Sequence, residues 1–360
     1  MFSLIGCSQT NDVNEKIPYS IGLTDDGFYE NIEKCEIEMP DFTLVQIQAD
    51  DILKNAIHML AISSESDSEI TVDDYIIMYG NSFLKNIGLG TKTEAEEGDL
   101  VYVNLSFFGN DGTEWEDYKT ENNSYLASAE GDSITSSFIG HQINDIYEVQ
   151  YTFPEDASDH PNEVATVKVT INSIEYSDPL NAGVLEENLE AINLYFSNVT
   201  DIESYKKALK PYLVEYHLGD YLENYITSLN MDVPEEFVDI EYQRLKSRLQ
   251  SLGYNYSDYE KDSKLTPEEI RDTCRQAARE NMLAMKYCKN LNISLTKDDM
   301  YAQYGESNYD YYVNLQGEPY MKLRIMRQTF LDAVAKQVSV LDGNVPVDLN
   351  NLVDLVNENE

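Results

Sequence analysis

Apolar residues recur at every second position in several runs between residues 36 and 176, and at every third or fourth position over 50–89 and through most of the chain after 179. Val101, Val103, Leu105 and Phe107 alternate with Tyr102, Asn104, Ser106 and Phe108, which predicts a half-buried strand. Asn110-Asp111-Gly112 follows it as a hairpin turn, because Gly supplies the positive φ such turns require. A second strand is expected over 146–153, ended by Pro154. A third is expected over 165–176, where Val167, Val169 and Ile171 oppose Thr166, Lys168, Thr170 and Asn172. Residues 36–48 also read as a strand, with Phe42, Leu44 and Gln46 opposed to Thr43, Val45 and Ile47.

Helical spacing marks 50–61, with a stripe of Ile52, Ala56, Ile57 and Leu60, and then 71–89. After Ser177-Asp178-Pro179 the chain turns wholly helical in character. Thr200-Asp201-Ile202-Glu203 has the form of a capping box. Pro211 is expected to kink or divide the helix that follows. Val233-Pro234-Glu235-Glu236 opens another, striped by Phe237, Ile240, Leu245, Leu249 and Leu252 and stopped at Gly253. Thr266-Pro267-Glu268-Glu269 starts a third, running to about Leu291, with Ile270, Cys274, Ala277, Ala278, Met282 and Met285 on one face. Thr296 starts a fourth, and 318–338 is a fifth. Residues 8–30 and 63–70 read as loose polar segments.

Strand runs followed by helix runs imply separate domains of an α+β protein. The boundaries fall at a tether over 1–30, a strand and helix region over 31–97, a sheet domain over 98–176, a helical domain over 177–340 and an acidic tail over 341–360.

Charge narrows the function. The chain of 360 residues carries 66 Asp and Glu against 25 Lys and Arg, a net charge of −41. That balance excludes nucleic acid as a partner, since phosphate backbones need basic patches. It also disfavours adhesion of the folded domains to anionic lipid. No apolar run approaches the roughly 18 residues that span a bilayer. Leu4-Ile5-Gly6-Cys7 has the form of a bacterial lipobox, in which Cys7 takes a thioether-linked lipid, and polar residues 8–15 suit a tether. Only six residues precede Cys7, fewer than a basic and an apolar leader region need. Cys35, Cys274 and Cys288 read as buried thiols; Cys274 and Cys288 share a helix and would lie about 20 Å apart, too far to bridge. His58, His141, His160 and His217 have no metal spacing, and no cofactor is expected.

Gly98-Asp99-Leu100-Val101-Tyr102-Val103, then Phe107-Phe108-Gly109, then Asp111-Gly112-Thr113-Glu114-Trp115-Glu116, resembles the opening of an FKBP-type prolyl isomerase domain. Ile139-Gly140-His141 and Tyr151-Thr152-Phe153-Pro154-Glu155-Asp156 resemble the second half of the variant found in trigger factor, and 165–175 its closing strand. Asp232-Val233-Pro234-Glu235-Glu236, Leu265-Thr266-Pro267-Glu268-Glu269 and Gly317-Glu318-Pro319-Tyr320 occur in an order compatible with trigger factor's helical chaperone domain. The resemblance covers roughly residues 36–338. It implies an FKBP-like antiparallel sheet domain and a separate all-α domain bearing arms. It includes no ribosome-docking signature before residue 98, so the ribosome is not an expected partner.

The resemblance also implies a site. Phe107 takes the first aromatic wall, Trp115 and Glu116 the family's Phe-Asp pair, and Tyr125 the aromatic before its Leu-Gly step. Phe153 follows the later strand, and Val167 stands where the family often has Phe. The family's pocket floor is shortened here to Ile134-Thr135-Ser136-Ser137-Phe138, from which Ile134 or Phe138 could substitute. Tyr212, Tyr216, Tyr221, Tyr225, Tyr309, Tyr311 and Tyr312 are candidates for an inner face that cradles unfolded chains. With the lipobox, the implied function is a lipid-anchored, extracytoplasmic foldase acting on unfolded or nascent exported polypeptides, touching the membrane only through its anchor; if the lipobox match is chance, the expected place is the cytoplasm. Two alternatives stand beside it: a holdase without isomerase activity, and a surface lipoprotein binding module on a degenerate FKBP scaffold.

Overall fold

A computed structural model describes residues 18–64, 70–157 and 159–349. Cys7, most of the tether and residues 350–360 of the acidic tail lie outside the described residues. In chain order the elements are β1 (Gln46–Gln48), α1 (Ala49–Ser64), α2 (Val72–Asn86), β2 (Thr91–Lys92), β3 (Leu100–Phe108), β4 (Thr120–Leu126), α3 (Ser133–Ser137), β5 (Ile146–Thr152) and β6 (Val164–Glu175). There follow α4 (Val184–Glu187), α5 (Leu189–Ile192), α6 (Ile202–Ser228), α7 (Glu235–Ser251), α8 (Tyr256–Asp262), α9 (Pro267–Asn290), α10 (Lys297–Tyr304), α11 (Tyr309–Gln316), α12 (Glu318–Ala335), β7 (Ser339–Asp342) and β8 (Val345–Pro346). The class is α+β. None of the described helices is long and apolar enough to cross a membrane.

The chain divides into two compact units, residues 1–59 with 214–347, and residues 60–213 with 348–360. The second unit is built on a five-stranded antiparallel sheet. β6 is its centre, pairing with β3 on one side and with β5 and β2 on the other, and β4 lies outside β3. The alternation read from the sequence is the burial pattern: Val101, Val103, Leu105 and Phe107 face the core with Val167, Val169 and Ile171. A bulge opposite Tyr102 and Val103 shifts the register, so that Ile174 as well as Ile171 faces inward. β4 has no apolar alternation, and its strand character comes from pairing with β3. α2 begins with a reciprocal capping box between Thr71 and Asp74. α6 also starts on a reciprocal box, but shifted by one residue from the expected one. Asp201 accepts from the Ser204 backbone N–H at 2.7 Å, and the Ser204 hydroxyl accepts from the Asp201 N–H at 3.0 Å. Asp is at least as good a cap as Thr, so the helix begins one residue later than Thr200 suggests. Pro211 does not divide it: α6 is one helix of 27 residues.

The first unit packs α7, α9 and α12 together with the second half of α6. Thr266 with Glu269, and Thr296 with Asp299, form the capping boxes that open α9 and α10. Four expectations are corrected here. The strand expected over 36–48 survives only as β1, because the Asp41 carboxylate accepts from the Thr43 N–H and turns the chain into a short helical turn over Phe42–Leu44. The loose reading of 8–30 fails for its described part. Tyr29 is fully buried, stacked on Phe237 at 4.8 Å, and its hydroxyl donates to Glu241 at 2.5 Å. The α7 stripe is displaced: Phe237, Val238 and Arg244 are buried and Leu252 is exposed, and an unforeseen α8 follows. Finally, α12 stops at Ala335, and the chain continues into β7, which pairs in parallel with β1 and antiparallel with β8.

Candidate functional site

Six aromatic side chains gather at one end of the sheet. β3 carries Phe107 almost to its end. The turn at Asn110-Asp111-Gly112 then reverses the chain, with Gly112 at φ +80° and the Asp111 carboxylate accepting from the Thr113 N–H. Returning, the Trp115 N–H donates to the Phe107 carbonyl at 2.8 Å, which sets the indole beside the Phe107 backbone. Gly109 makes room for it, since a Cβ there would meet Trp115 Nε1 at 3.1 Å. A tight helical turn over Glu116–Tyr118 adds the Tyr118 ring. Tyr151 lies near the end of β5 and Phe153 one residue past it, two residues apart and so on one face. The Phe153 ring is the hub. It lies 6.0 Å from Phe107, 5.7 Å from Trp115, 5.1 Å from Tyr118 and 5.0 Å from Tyr151, in tilted or edge-on geometry. Such pairs each add about 0.5–1.5 kcal/mol beyond area burial.

His160 completes the cluster from the β5–β6 connection. Its imidazole stacks on the Trp115 indole with centroids 3.8 Å apart and planes 8° from parallel. Its backbone takes φ +58°, a conformation that costs a side chain about 1–2 kcal/mol. The stack and a 3.0 Å contact from Nδ1 to the Glu163 carboxylate hold it there. A second stack of the same kind, His141 on Tyr147 at 3.8 Å, lies on the same sheet, with His141 Nδ1 2.9 Å from Asp145.

Two hydroxyls edge the cluster. Burial, then the carboxylates of Asp159 and Asp117, push the Tyr118 hydroxyl above its usual pKa. Burial, then Asp132, does the same for Tyr151. Both therefore stay protonated at neutral pH and can donate.

The residues implied by resemblance separate into three groups. Phe107, Trp115 and Phe153 meet. Val167 is fully buried, the sheet partner of Phe107 and Val149, so it lies beneath the rings. Glu116 is exposed on its turn. Tyr125, on β4, contacts the Phe138 ring at 6.2 Å instead. Ile134 and Phe138, the two residues considered for the shortened floor, are both buried. Asp132 caps α3 by accepting from the Ile134 and Thr135 N–H groups, and Ile134 and Phe138 both point into the core. Tyr118, Tyr151 and His160 were missed. Tyr151 had a signal, the strand spacing from Phe153; the other two are placed by loops. Of the tyrosine runs, Tyr216 and Tyr311 are exposed, while Tyr309 is buried.

Chemically the cluster offers apolar faces edged by O–H donors. Among the described residues no group of His, Cys, Asp and Glu is arranged to hold a metal ion.

Comparison with known proteins points one way. The trigger factor of Halothermothrix orenii is 27% identical over 225 residues, 58% of this chain and 52% of its own length. This chain is trigger-factor-like. The trigger factor of Thermoanaerobacter sp. strain X514 is 24% identical over 245 residues, 62% of this chain and 54% of its own. The chain thus spans about half the length of these relatives. A solved structure of the trigger factor chaperone, described for promiscuous substrate recognition in folding and assembly activities, covers 84% of this chain and 72% of its own at 14% identity and TM-score 0.39. No family model matches the trigger-factor-like chain.

Proposed function

We propose that the chain is a folding factor that binds unfolded polypeptides and turns Xaa-Pro bonds at the Phe107–Trp115–Phe153 cluster. The observation that carries this reading is the convergence of these rings with the Tyr118 and Tyr151 hydroxyls. Amide rotation has a barrier of about 20 kcal/mol because resonance holds the bond planar. It needs no nucleophile. Aromatic faces that take the proline ring, with donors for the rotated carbonyl, favour the twisted amide over the planar one, which is transition-state binding.

A holdase without isomerase activity is the second reading, favoured by one contact: His160 already covers one face of Trp115. One experiment separates the two. The full chain is expected to accelerate a prolyl-limited refolding reaction, and Trp115→Ala to lower that acceleration about tenfold, equivalent to about 1.4 kcal/mol of barrier. His160→Ala, which bares the indole face, is expected to accelerate at least as well as wild type. No acceleration by wild type, with aggregation of an unfolded client still suppressed, would leave the holdase.

The same proposal includes a thioether-linked lipid on Cys7 that keeps the activity outside the membrane. Incorporation of a labelled fatty acid by the wild type, abolished in Cys7→Ala, is the expected result; labelling that persists in the variant would rule the anchor out.

A further inference from the structure

In the first unit a cavity of about 280 Å³ lies among α6, α10 and α12, lined by Glu223, Gln303, Tyr304, Arg324, Arg327 and Gln328 with Leu331. Its polar groups are not of equal standing. Arg327 is committed: Nε donates to Glu280 at 2.8 Å, and Nη2 donates to Glu280 at 2.5 Å and to Glu223 at 2.6 Å. Arg324, one turn earlier on α12, is not. Its guanidinium lies 5.8 Å from the Tyr304 ring centre, and no carboxylate among the described residues pairs with it. That is notable in a chain where acids outnumber bases 66 to 25. The Tyr304 hydroxyl is buried with no hydrogen-bond partner among the described residues, a state that is costly for a donor.

We propose that this cavity binds a carboxylate, received by the Arg324 guanidinium and the Tyr304 hydroxyl. The open groups are donors, so the ligand is an acceptor. Glu223 stands on the cavity wall and is already engaged by Arg327, so one negative charge is present beside the open donors, which favours a ligand with a single negative charge over the double charge of a phosphate monoester. The volume falls just under the range of pockets for drug-sized ligands, enough for a carboxylate and a short aliphatic stem against Leu331. The carboxylate comes from a polypeptide, as a C-terminus or an acidic side chain, or from a free small acid. The proposal does not depend on isomerase activity.

Fluorine NMR of the full chain with a para-fluorobenzoyl-Gly-Ala-Ala peptide, whose label is remote from its carboxylate, tests it, comparing the free acid with the C-terminal amide. The peptide has no proline, so the ring cluster is not its target. The acid is expected to bind about tenfold tighter than the amide, the worth of a charge-assisted hydrogen bond. Arg324→Gln and Tyr304→Phe are expected to bring the two peptides together. Arg248→Gln, at an arginine that instead lies over Tyr19, is expected to leave the difference intact. Arg324 is exposed, so its variant keeps the fold, which circular dichroism verifies. Acetate that displaces the acid peptide at equal concentration supports any small carboxylate as ligand; displacement only in large excess supports the polypeptide. Equal binding of acid and amide to wild type, or a preference that survives in Arg324→Gln, overturns the proposal.

Discussion

Replacing Arg327 by Met is expected to cost the helical unit about 3–5 kcal/mol at pH 8 and far less at pH 5. Glu280 is 1% exposed, and Arg327 holds it with two hydrogen bonds. Removing one partner of a buried ion pair leaves the other charge uncompensated, which is the larger part of that loss. The pH dependence follows from Glu280. Burial pushes its carboxyl up to about 7, with Glu223 and Glu241 adding to the rise and Arg327 opposing it. In the unfolded chain a Glu titrates near 4.3. Between those values the folded state keeps a proton that the unfolded state has lost, so in the wild type this group's contribution to stability falls as pH rises through that window. Without Arg327 the folded carboxyl titrates higher still. At pH 5 it is protonated and needs no cation, whereas at pH 8 it must stay protonated at a cost or be charged and alone. Urea unfolding at the two pH values, followed by circular dichroism, checks this. An equal loss at both would mean that Arg327 contributes packing rather than charge.

Phe138→Ala is expected to destabilise the sheet unit by about 3–5 kcal/mol, the range for deleting a buried phenyl ring. Phe138 is fully buried between the Tyr125 ring and the sheet core. Its position depends on the α3 turn that Asp132 caps, so the backbone resists collapse into the space left behind. Phe138→Leu, which keeps most of the volume, is expected to cost about 1.5 kcal/mol or less. Trp115 is the only tryptophan of the chain and lies in this unit, so its fluorescence reports the transition directly. A Phe138→Ala midpoint within error of wild type would mean that Phe138 is not packed as described.

Residues whose partners are close in sequence were legible. The alternation in β3 and β6 specified which side chains face inward, because a strand repeats every two residues. The boxes at Thr266 and Thr296 specified where α9 and α10 begin, because cap and N3 are three residues apart. Where local signals competed they were misread by one step, as at Thr200 and Asp201, two good caps side by side. The strand over 36–48 failed for a related reason: alternation of apolar residues is no evidence of a partner strand, and β1 gains its partner only in β7.

The candidate site divides along the same line. Phe107, Trp115 and Phe153 were legible through resemblance, since they sit on motifs. His160 was not, because nothing within four residues of it specifies a tryptophan beneath its ring. Nor did any neighbouring residue mark Glu280 for burial with Arg327 and Glu223, which come from three different helices.

The sequence by itself determined the class, the bounds of β3, β5, β6, α7 and α9 to within a residue or two, the inward faces of β3 and β6, and a net charge of −41. Only the tertiary structure decided which rings meet at Trp115, that Val167 lies beneath them, and that Arg324 has no carboxylate partner among the described residues. The physical reason is one of range. Backbone periodicity and capping are set within a single turn or pleat. Ring stacking, buried ion pairs and the β1–β7 pairing join segments far apart in the chain, and they form only once the core has paid the entropy of closing the loops between them.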